Sequence, residues 1–172
     1  MNSIATRLSS FSPLKLLLLL IVLPAMASAA EVQAWLLLNP FSPETLISTD
    51  VMEKNSLVRA GWKISGTGAL QSEGGPDLGL LHRMVRPDPQ GAYHSLVATP
   101  DEVGENLKAG YKTEGAMGYV SLEGGPGLVA VYRFSKGDHY LWLISAGDQK
   151  WATKNGWTRD KAAFWLGADP AR

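Results

Sequence analysis

Short apolar runs alternate along the chain with polar stretches that have the features of capped helices. Each polar stretch starts with Asp, Thr or Ser, whose side chain accepts from the free amides of a helix's first turn. An acid follows three positions later, as in a capping box, and glycine ends the stretch, since it tolerates a left-handed conformation. The pattern predicts helices at 50–60, 99–109 and 145–155. The caps, acids and glycines are Asp50, Glu53 and Gly61; Thr99, Glu102 and Gly110; and Ser145, Asp148 and Gly156.

Apolar and aromatic runs surround each predicted helix. Two runs precede it, separated by turn residues such as Pro, Gly, Asn and Asp, and one follows the glycine. Runs of this kind predict strands. The strands before the helices are Trp35–Leu38 with Leu46–Ser48, Leu80–Val85 with Ser95–Ala98, and Val129–Phe134 with Tyr140–Ile144; those after them are Trp62–Leu70, Tyr111–Val120 and Trp157–Leu166.

The order strand, turn, strand, helix, strand recurs three times, which indicates an internal repeat. The tetrapeptides Glu73–Pro76 and Glu123–Pro126 are identical, and each starts ten residues before an arginine, Arg83 or Arg133. The predicted repeats span about 33–71, 77–121 and 127–167.

One unit of this size cannot bury its apolar face alone, so we expect three units to pack around one axis. The predicted fold is α+β, mainly β. Three pseudo-symmetric repeats (strand-turn-strand-short helix-strand) would close around one core, either trefoil-like or three-bladed, which would leave few exposed sheet edges.

The first 29 residues have the pattern of a secretory signal peptide. Arg7 and Lys15 precede an apolar run, Leu16–Leu23, and small residues follow at Ala27–Ala30. The run is shorter than the ~20 residues that a membrane-spanning helix needs, although an uncleaved anchor is the alternative. We therefore predict a signal peptide over 1–29, a single three-repeat domain over 30–172, and a secreted or periplasmic protein with no stable membrane span.

Charge and cysteine content narrow the possible functions. The whole chain has 16 basic and 16 acidic residues and no cysteine. Arg7 and Lys15 leave with the predicted signal peptide and no acid does, so the formal net charge of the remainder is −2. No basic face is indicated, which argues against nucleic-acid binding, and no disulfide framework is possible.

Val131–Phe134, Gly137–Tyr140 and Gly156–Trp157 resemble a tandem repeat of secreted bacterial and fungal proteins, in which YRF, GDHFYTT and GW.YEGIAF recur. That repeat is of unknown function, often occurs in three copies and often lies beside exported hydrolase domains. The second unit fits the pattern from His94, whereas the first has Thr45 at the histidine position. The resemblance brings no known catalytic residue with it.

The adjacent Asp138 and His139 have two interpretations. They are part of a catalytic or metal site, or they are a turn aspartate followed by a histidine at the start of a strand. His94 matches His139, but the first unit has Thr45 there, so a three-fold metal site lacks its third histidine. No zinc-motif spacing occurs either. We prefer the structural interpretation and expect no metal and no cofactor.

Arg83 and Arg133 occupy matching strand positions. A guanidinium can clamp an anionic group through two hydrogen bonds, or it can pair with an acid of a neighbouring unit, such as Glu114 or Asp160. We prefer pairing, and we interpret the acids of the three helix starts as caps rather than catalytic groups.

Six tryptophans can fill a small core or present stacking surfaces. Trp151 lies within the third predicted helix, and its counterparts in the other two are Ser56 and Glu105. Polar counterparts predict an exposed position, so Trp151 is the best candidate for an aromatic that faces a ligand.

The sequence favours an exported non-catalytic binding module that recognises a glycan or a partner in the cell envelope or at the cell surface. One alternative is a small exported hydrolase that uses His94 or His139. Another is a structural or inhibitory envelope protein. No catalytic residue is assigned, and the candidate ligand-binding residues are Arg83, His94, Tyr132, Arg133, His139 and Trp151.

Overall fold

The computed structural model describes residues 30–88 and 91–169, so the predicted signal peptide over 1–29 lies outside the described residues. Along the chain, the order of two strands, a helix and a further strand occurs three times. The strands are β1 (Glu31–Leu38), β2 (Thr45–Ser48), β3 (Lys63–Gln71), β4 (Leu78–Asp88), β5 (Gly91–Val97), β6 (Lys112–Ser121), β7 (Leu128–Lys136), β8 (His139–Leu143) and β9 (Thr158–Gly167). The helices are α1 (Val51–Arg59), α2 (Pro100–Lys108) and α3 (Ala146–Lys154).

The three predicted helices and their caps are confirmed. Asp50 accepts a hydrogen bond from the amide of Met52 at 2.6 Å, and Thr99 and Ser145 accept from amides three residues later. The glycines after the helices have φ between +79° and +93°, the left-handed conformation that ends a helix. Within the described residues, no helix has the length and apolar character needed to cross a membrane.

All nine strands belong to one antiparallel sheet. Each of β1, β4 and β7 forms a hairpin with the strand after it and pairs on its other edge with β3, β6 or β9. The strands β3, β6 and β9 then pair with one another. The bridges between them are Gln71↔Tyr119, Ser121↔Trp165 and Ala69↔Gly167.

These bridges show that the predicted architecture is wrong. We expected an α+β, mainly β fold of three pseudo-symmetric repeats, trefoil-like or three-bladed. The structure is indeed mainly β, but its strands form one nearly closed, barrel-like antiparallel sheet and no trefoil or three-bladed arrangement. The physical reason is that β3, β6 and β9 find hydrogen-bond partners in each other. Their edges are therefore satisfied within one sheet, and the three segments do not stand as separate blades.

The core lies where the short strands meet. β2 is buried along its whole length, and β2, β5 and β8 contact one another. Ile47, Leu96 and Trp142, one from each strand, belong to the same buried cluster. Two smaller clusters lie at its sides, one around Phe134 and Trp157 and one around Met84, Val97 and Tyr111. The large side chain of Trp142 thus packs in the main buried cluster and holds β8 against β2 and β5.

Gly79 allows β4 to pass close to the chain between β5 and α2. A Cβ at Gly79 would lie 2.3 Å from the carbonyl oxygen of Ala98 and 2.8 Å from Cδ2 of Leu122. Because a backbone oxygen cannot move without shifting the start of α2, we expect Gly79→Ala to lower the free energy of unfolding by about 1–3 kcal/mol. Urea unfolding followed by circular dichroism measures the change.

Gly104 provides the matched control, since it lies within α2 and a Cβ there would meet nothing within 4 Å. Gly104→Ala should raise the free energy of unfolding by about 0.5–1 kcal/mol, because alanine is the better helix former. Equal effects of the two substitutions would contradict the close approach at Gly79.

Candidate functional site

A cleft of about 270 Å³ opens between helix α2 and the β7–β8 hairpin. Helix α2 and the residues directly after it supply five of the lining side chains, the hairpin supplies four, and β4 and β5 supply the rest. Two arginines, three acids, two tyrosines and a tryptophan dominate the lining. The residues are Arg86, Ser95, Val97, Glu102, Glu105, Asn106, Ala109, Tyr111, Arg133, Asp138, Tyr140 and Trp142.

Arg86 is held over two tyrosines by an aspartate. Its Cζ lies 5.0 Å from the ring centroid of Tyr111 and 5.7 Å from that of Tyr93. Its Nη2 donates to Oδ2 of Asp138 at 3.1 Å. A guanidinium over an aromatic face is attracted by the ring's negative face, so these contacts fix its orientation.

The same contacts set the protonation of two lining residues. A hydrogen bond from its own backbone N–H, then Arg86 and His139, lower the pKa of Asp138. Burial raises the pKa of Tyr111. At neutral pH the cleft therefore presents an ionised carboxylate, which only accepts hydrogen bonds, and a neutral phenol, which can donate one.

Arg133 lies on β7 and is held in a similar way. Its Nε donates to Oδ2 of Asp160 at 2.9 Å, and its Cζ lies 5.3 Å from the ring centroid of Tyr140. The other oxygen of Asp160 accepts from Ser135. Within the described part of the chain, the two terminal nitrogens of Arg133 have no protein partner, so they remain available as donors.

Helix α2 contributes acceptors. Oε2 of Glu102 takes part in the capping box with Thr99 and the amide of Ala98, and Nδ2 of Asn106 donates to the carbonyl of Glu102. No described residue pairs with Oε1 of Glu102 or with Oδ1 of Asn106. The Glu105 side chain is exposed. Helix α2 thus provides the cleft with hydrogen-bond acceptors, the carboxylate and amide oxygens, and Arg133 provides it with donors.

Trp142 lies deepest among the lining residues and is 1% exposed. Its backbone amide donates to Oγ1 of Thr45 at 2.9 Å, but its indole Nε1 has no hydrogen-bond partner among the described residues. A buried donor without a partner costs about 1–3 kcal/mol.

Two of the predicted binding residues, Arg83 and His94, lie outside the cleft in a chain of side-chain contacts with acids. Nδ1 of His94 is 2.6 Å from Oε1 of Glu44, and Nε2 is 3.2 Å from Oε2 of Glu114. Arg83 approaches Glu114 through Nε and Glu53 through Nη1, each at 2.9 Å. The network joins the β1–β2 turn and α1 to β4, β5 and β6.

Both arginines pair with acids, but the expected neighbouring-unit arrangement is wrong for Glu114 and Asp160, because each lies in the same predicted unit as the arginine that it contacts, Arg83 or Arg133. The acid from another unit is Glu53. The sequence predicted Glu53 as a capping residue, and its carboxylate instead reaches 2.9 Å from Arg83.

Burial acts on the pKa of Glu53 in one direction and its partners act in the other. Burial raises it, but hydrogen bonds from Arg83 and Ser48 outweigh that effect, so the pKa of Glu53 is lowered. Likewise, burial lowers the pKa of Arg83, and Glu53 and Glu114 more than compensate, so it is raised. Both groups therefore stay ionised through the neutral range.

The Glu53 shift predicts a pH dependence of stability. Because its folded pKa lies below the ordinary value of 4.5, its contribution is present above pH 4.5 and is lost as pH falls through the folded pKa. We expect Glu53→Gln to lower the urea midpoint at pH 7, and the difference from the parent protein to shrink at pH 3. Glu73→Gln, at an exposed position, should show no such convergence. A Glu53→Gln difference that is constant with pH would contradict the assignment.

The remaining predicted residues lie apart from one another. The ring of His139 contacts Tyr93, with centroids 4.5 Å apart, and its Nε2 is 3.5 Å from Asp138. Arg159 covers the ring of Tyr132 at 3.8 Å. Trp151 is exposed, as its polar counterparts predicted. Of the six predicted ligand-binding residues, Arg133 alone lines the cleft, and His94 and His139 share no partner.

Sequence reasoning missed Arg86, Asn106, Tyr111 and Trp142 as site residues. One signal was present for Arg86, because Lys136 follows Arg133 at the same offset of three residues at which Arg86 follows Arg83. In both strands this second basic residue lies close to the turn of the hairpin, at the end of β4 or β7. Nothing in the sequence indicated that α2 and the β7–β8 hairpin would face one cleft.

Residues 30–88 and 91–169 contain no group of three or more His, Cys, Asp or Glu side chains arranged to hold a metal ion. A family model described as a domain of unknown function, DUF5648, matches residues 33–166. No curated protein and no solved structure matches the chain.

Proposed function

The chain belongs to the DUF5648 family, a domain of unknown function, and from the geometry of its cleft we propose that it is a non-catalytic binding module for a neutral, hydroxyl-rich ligand such as a sugar of a glycan. One observation carries the proposal. The cleft lining mixes fixed donors with fixed acceptors, and its two arginines and three acids nearly cancel in charge.

A sugar hydroxyl both donates and accepts, so it can use both kinds of group. The free terminal nitrogens of Arg133 match an acceptor oxygen, and the carboxylates of Glu102 and Glu105 match a hydroxyl donor. A strongly anionic ligand would meet three acids, and a strongly cationic one would meet two arginines. A neutral polyol avoids both penalties.

A pyranose also has apolar faces, and the aromatic lining suits them. Tyr111, Tyr140 and Trp142 line the cleft. Tyr111 and Trp142 are buried, so the partly exposed Tyr140 is the ring against which an apolar sugar face can pack. The arginines already cover one side of Tyr111 and Tyr140, so the arrangement is fixed before a ligand arrives. Pre-organised side chains lose little entropy on binding.

Arg83, which matches Arg133 in sequence, offers no second site of this kind. The junction around Arg83 and His94 is occupied by the protein's own side-chain contacts.

Screening the isolated domain, residues 30–172, tests the proposal. Isothermal titration with a panel of neutral oligosaccharides of glucose, galactose, mannose and N-acetylglucosamine should yield at least one saturable ligand. Heparin and polylysine, as polyanion and polycation, should bind no better than the salt-screened background. A higher affinity for either polyion than for every neutral sugar would contradict the proposal.

We also propose export to the periplasm or the exterior, where such glycans occur. The apolar run Leu16–Leu23 and the small residues after it support this location. Expression of the full chain in a Gram-negative host should yield a mature protein that starts at Ala30 or Glu31, as read by mass spectrometry of the periplasmic fraction. Recovery of the uncut chain from the cytoplasm would contradict export.

A further inference from the structure

Two exposed aromatic side chains that are far apart in the sequence lie beside the same groove. Among the described residues, the exposed large hydrophobic side chains are mostly aliphatic, and the two aromatic ones are Phe41, 84% exposed, and Trp151, 46% exposed. Both line one shallow groove of about 200 Å³ between the β1–β2 turn and helix α3. None of the groove's residues lines the cleft.

The turn holds Phe41 outward. The amide of Phe41 donates to Oδ1 of Asn39 at 2.9 Å, and backbone hydrogen bonds join Asn39 to Glu44 and Glu44 to Ser42. The ring rests against Gly61, where a Cβ would come within 3.1 Å of Cε2. The ring is therefore supported from one side and open on the other.

Helix α3 holds Trp151 in the same way. The next residue, Ala152, is fully buried in the cluster of Trp157 and Leu38, so the helix cannot rotate to hide the indole. The amide of Asn155 caps the helix through the carbonyl of Trp151. An exposed aromatic on a rigid element loses little entropy when a ligand covers it.

A polar rim adjoins the two rings. Asn39, Lys63 and Asp148 line the neighbouring shallow groove together with Trp151. Oδ2 of Asp148 accepts from Ser65 at 2.7 Å, which fixes the carboxylate. One lysine and one aspartate leave no net charge at the rim, so a neutral ligand is again favoured.

From these features we infer that the Phe41–Trp151 groove is a second binding site, and that it binds sugar rings within a neutral polysaccharide chain. Phe41 and Trp151 stack on the apolar faces of pyranose rings, and Asn39, Lys63 and Asp148 bond to the hydroxyls at the ring edges. The inference rests on the proposed function for its ligand class and extends that function from a single sugar to a chain. Two sites on one domain raise the overall affinity for a polymer beyond that of either site.

Retention on insoluble polysaccharide tests the inference. The isolated domain is mixed with microcrystalline cellulose, chitin and purified peptidoglycan, and the depleted fraction gives a partition constant for each. We expect the Phe41→Ala/Trp151→Ala double variant to lose about tenfold in partition constant on the polymer that the parent domain binds best. The Val58→Ala/Leu107→Ala double variant removes exposed aliphatic side chains instead, and it should bind as the parent does.

The outcomes separate the two proposals. Equal retention of both double variants overturns the groove, and it leaves the cleft standing if soluble sugars still bind. Retention that depends on Phe41 and Trp151, without any binding of soluble sugars, supports the groove and overturns the cleft. A parent domain that sediments as a dimer, and a Phe41→Ala/Trp151→Ala variant that sediments as a monomer, would show that a second copy of this chain covers the groove and would overturn the inference.

Discussion

Arg83→Met is expected to lower the free energy of unfolding by about 3 kcal/mol, whereas Arg133→Met should cost less than about 1 kcal/mol. The Arg83 side chain is 15% exposed and lies between the carboxylates of Glu53 and Glu114. Its loss leaves two partly buried carboxylates without their cation. Arg133 is 39% exposed and pairs with one acid. Water can therefore solvate Asp160 in its place, and little free energy of unfolding is lost.

The same two variants should behave in the opposite way towards a ligand. Arg133 lines the cleft, so Arg133→Met should weaken sugar binding about tenfold, while folded Arg83→Met should bind as the parent protein does. Urea unfolding gives the stabilities, and titration calorimetry at a temperature where both variants are folded gives the affinities. If the two arginines prove interchangeable in either measurement, the division of roles is wrong.

Ala109→Trp is expected to abolish detectable binding of a soluble sugar in the cleft. Ala109 is the exposed C-cap residue of α2 and lines the cleft, so an indole there would occupy the space of the ligand. Because the alanine side chain is exposed, the substitution disturbs no core packing, and the melting temperature should stay within about 2–4 °C of the parent value.

Ala60→Trp is the matched control, since Ala60 is the exposed C-cap residue of α1 and has the same φ of −78°. It should bind sugar with unchanged affinity. Weakening of similar size in both variants would indicate a general effect of a surface tryptophan, and full affinity in Ala109→Trp would place the binding site elsewhere.

Local features of the fold were predictable because they depend on neighbours in sequence. Thr99 caps α2 through an amide three residues away, and Gly110 ends it in a left-handed conformation. Such rules act over one helical turn, so capping residues and glycines indicate the helices without any knowledge of the tertiary structure.

The sheet was not predictable in the same way. The bridges that join β3, β6 and β9, such as Gln71↔Tyr119, connect residues tens of positions apart. A repeating order of elements is compatible with separate blades and with one continuous sheet. Pairing between the last strands of each segment decides between them, and no local signal reports that pairing.

The binding surfaces were also hard to predict, because they too depend on contacts between residues far apart in the sequence. Arg83 and Arg133 match in sequence, but one is enclosed by Glu53 from a distant helix and the other remains partly open. Trp151 could be recognised by its polar counterparts, since they report exposure on a helix. Phe41 could not, because the exposure of a turn residue depends on what folds over it.

We claim that the cleft beside Trp142 binds a neutral sugar, and binding there should shift the indole N–H resonance of Trp142. The signal can be assigned in a ¹⁵N-labelled domain by its absence in Trp142→Phe, and followed while glucose, galactose, mannose, N-acetylglucosamine and their oligomers are added. We predict a saturable shift of the Trp142 resonance with at least one sugar, and loss of that shift in Ala109→Trp. A Trp142 resonance that stays unmoved while every sugar is brought to saturating concentration would contradict the claim.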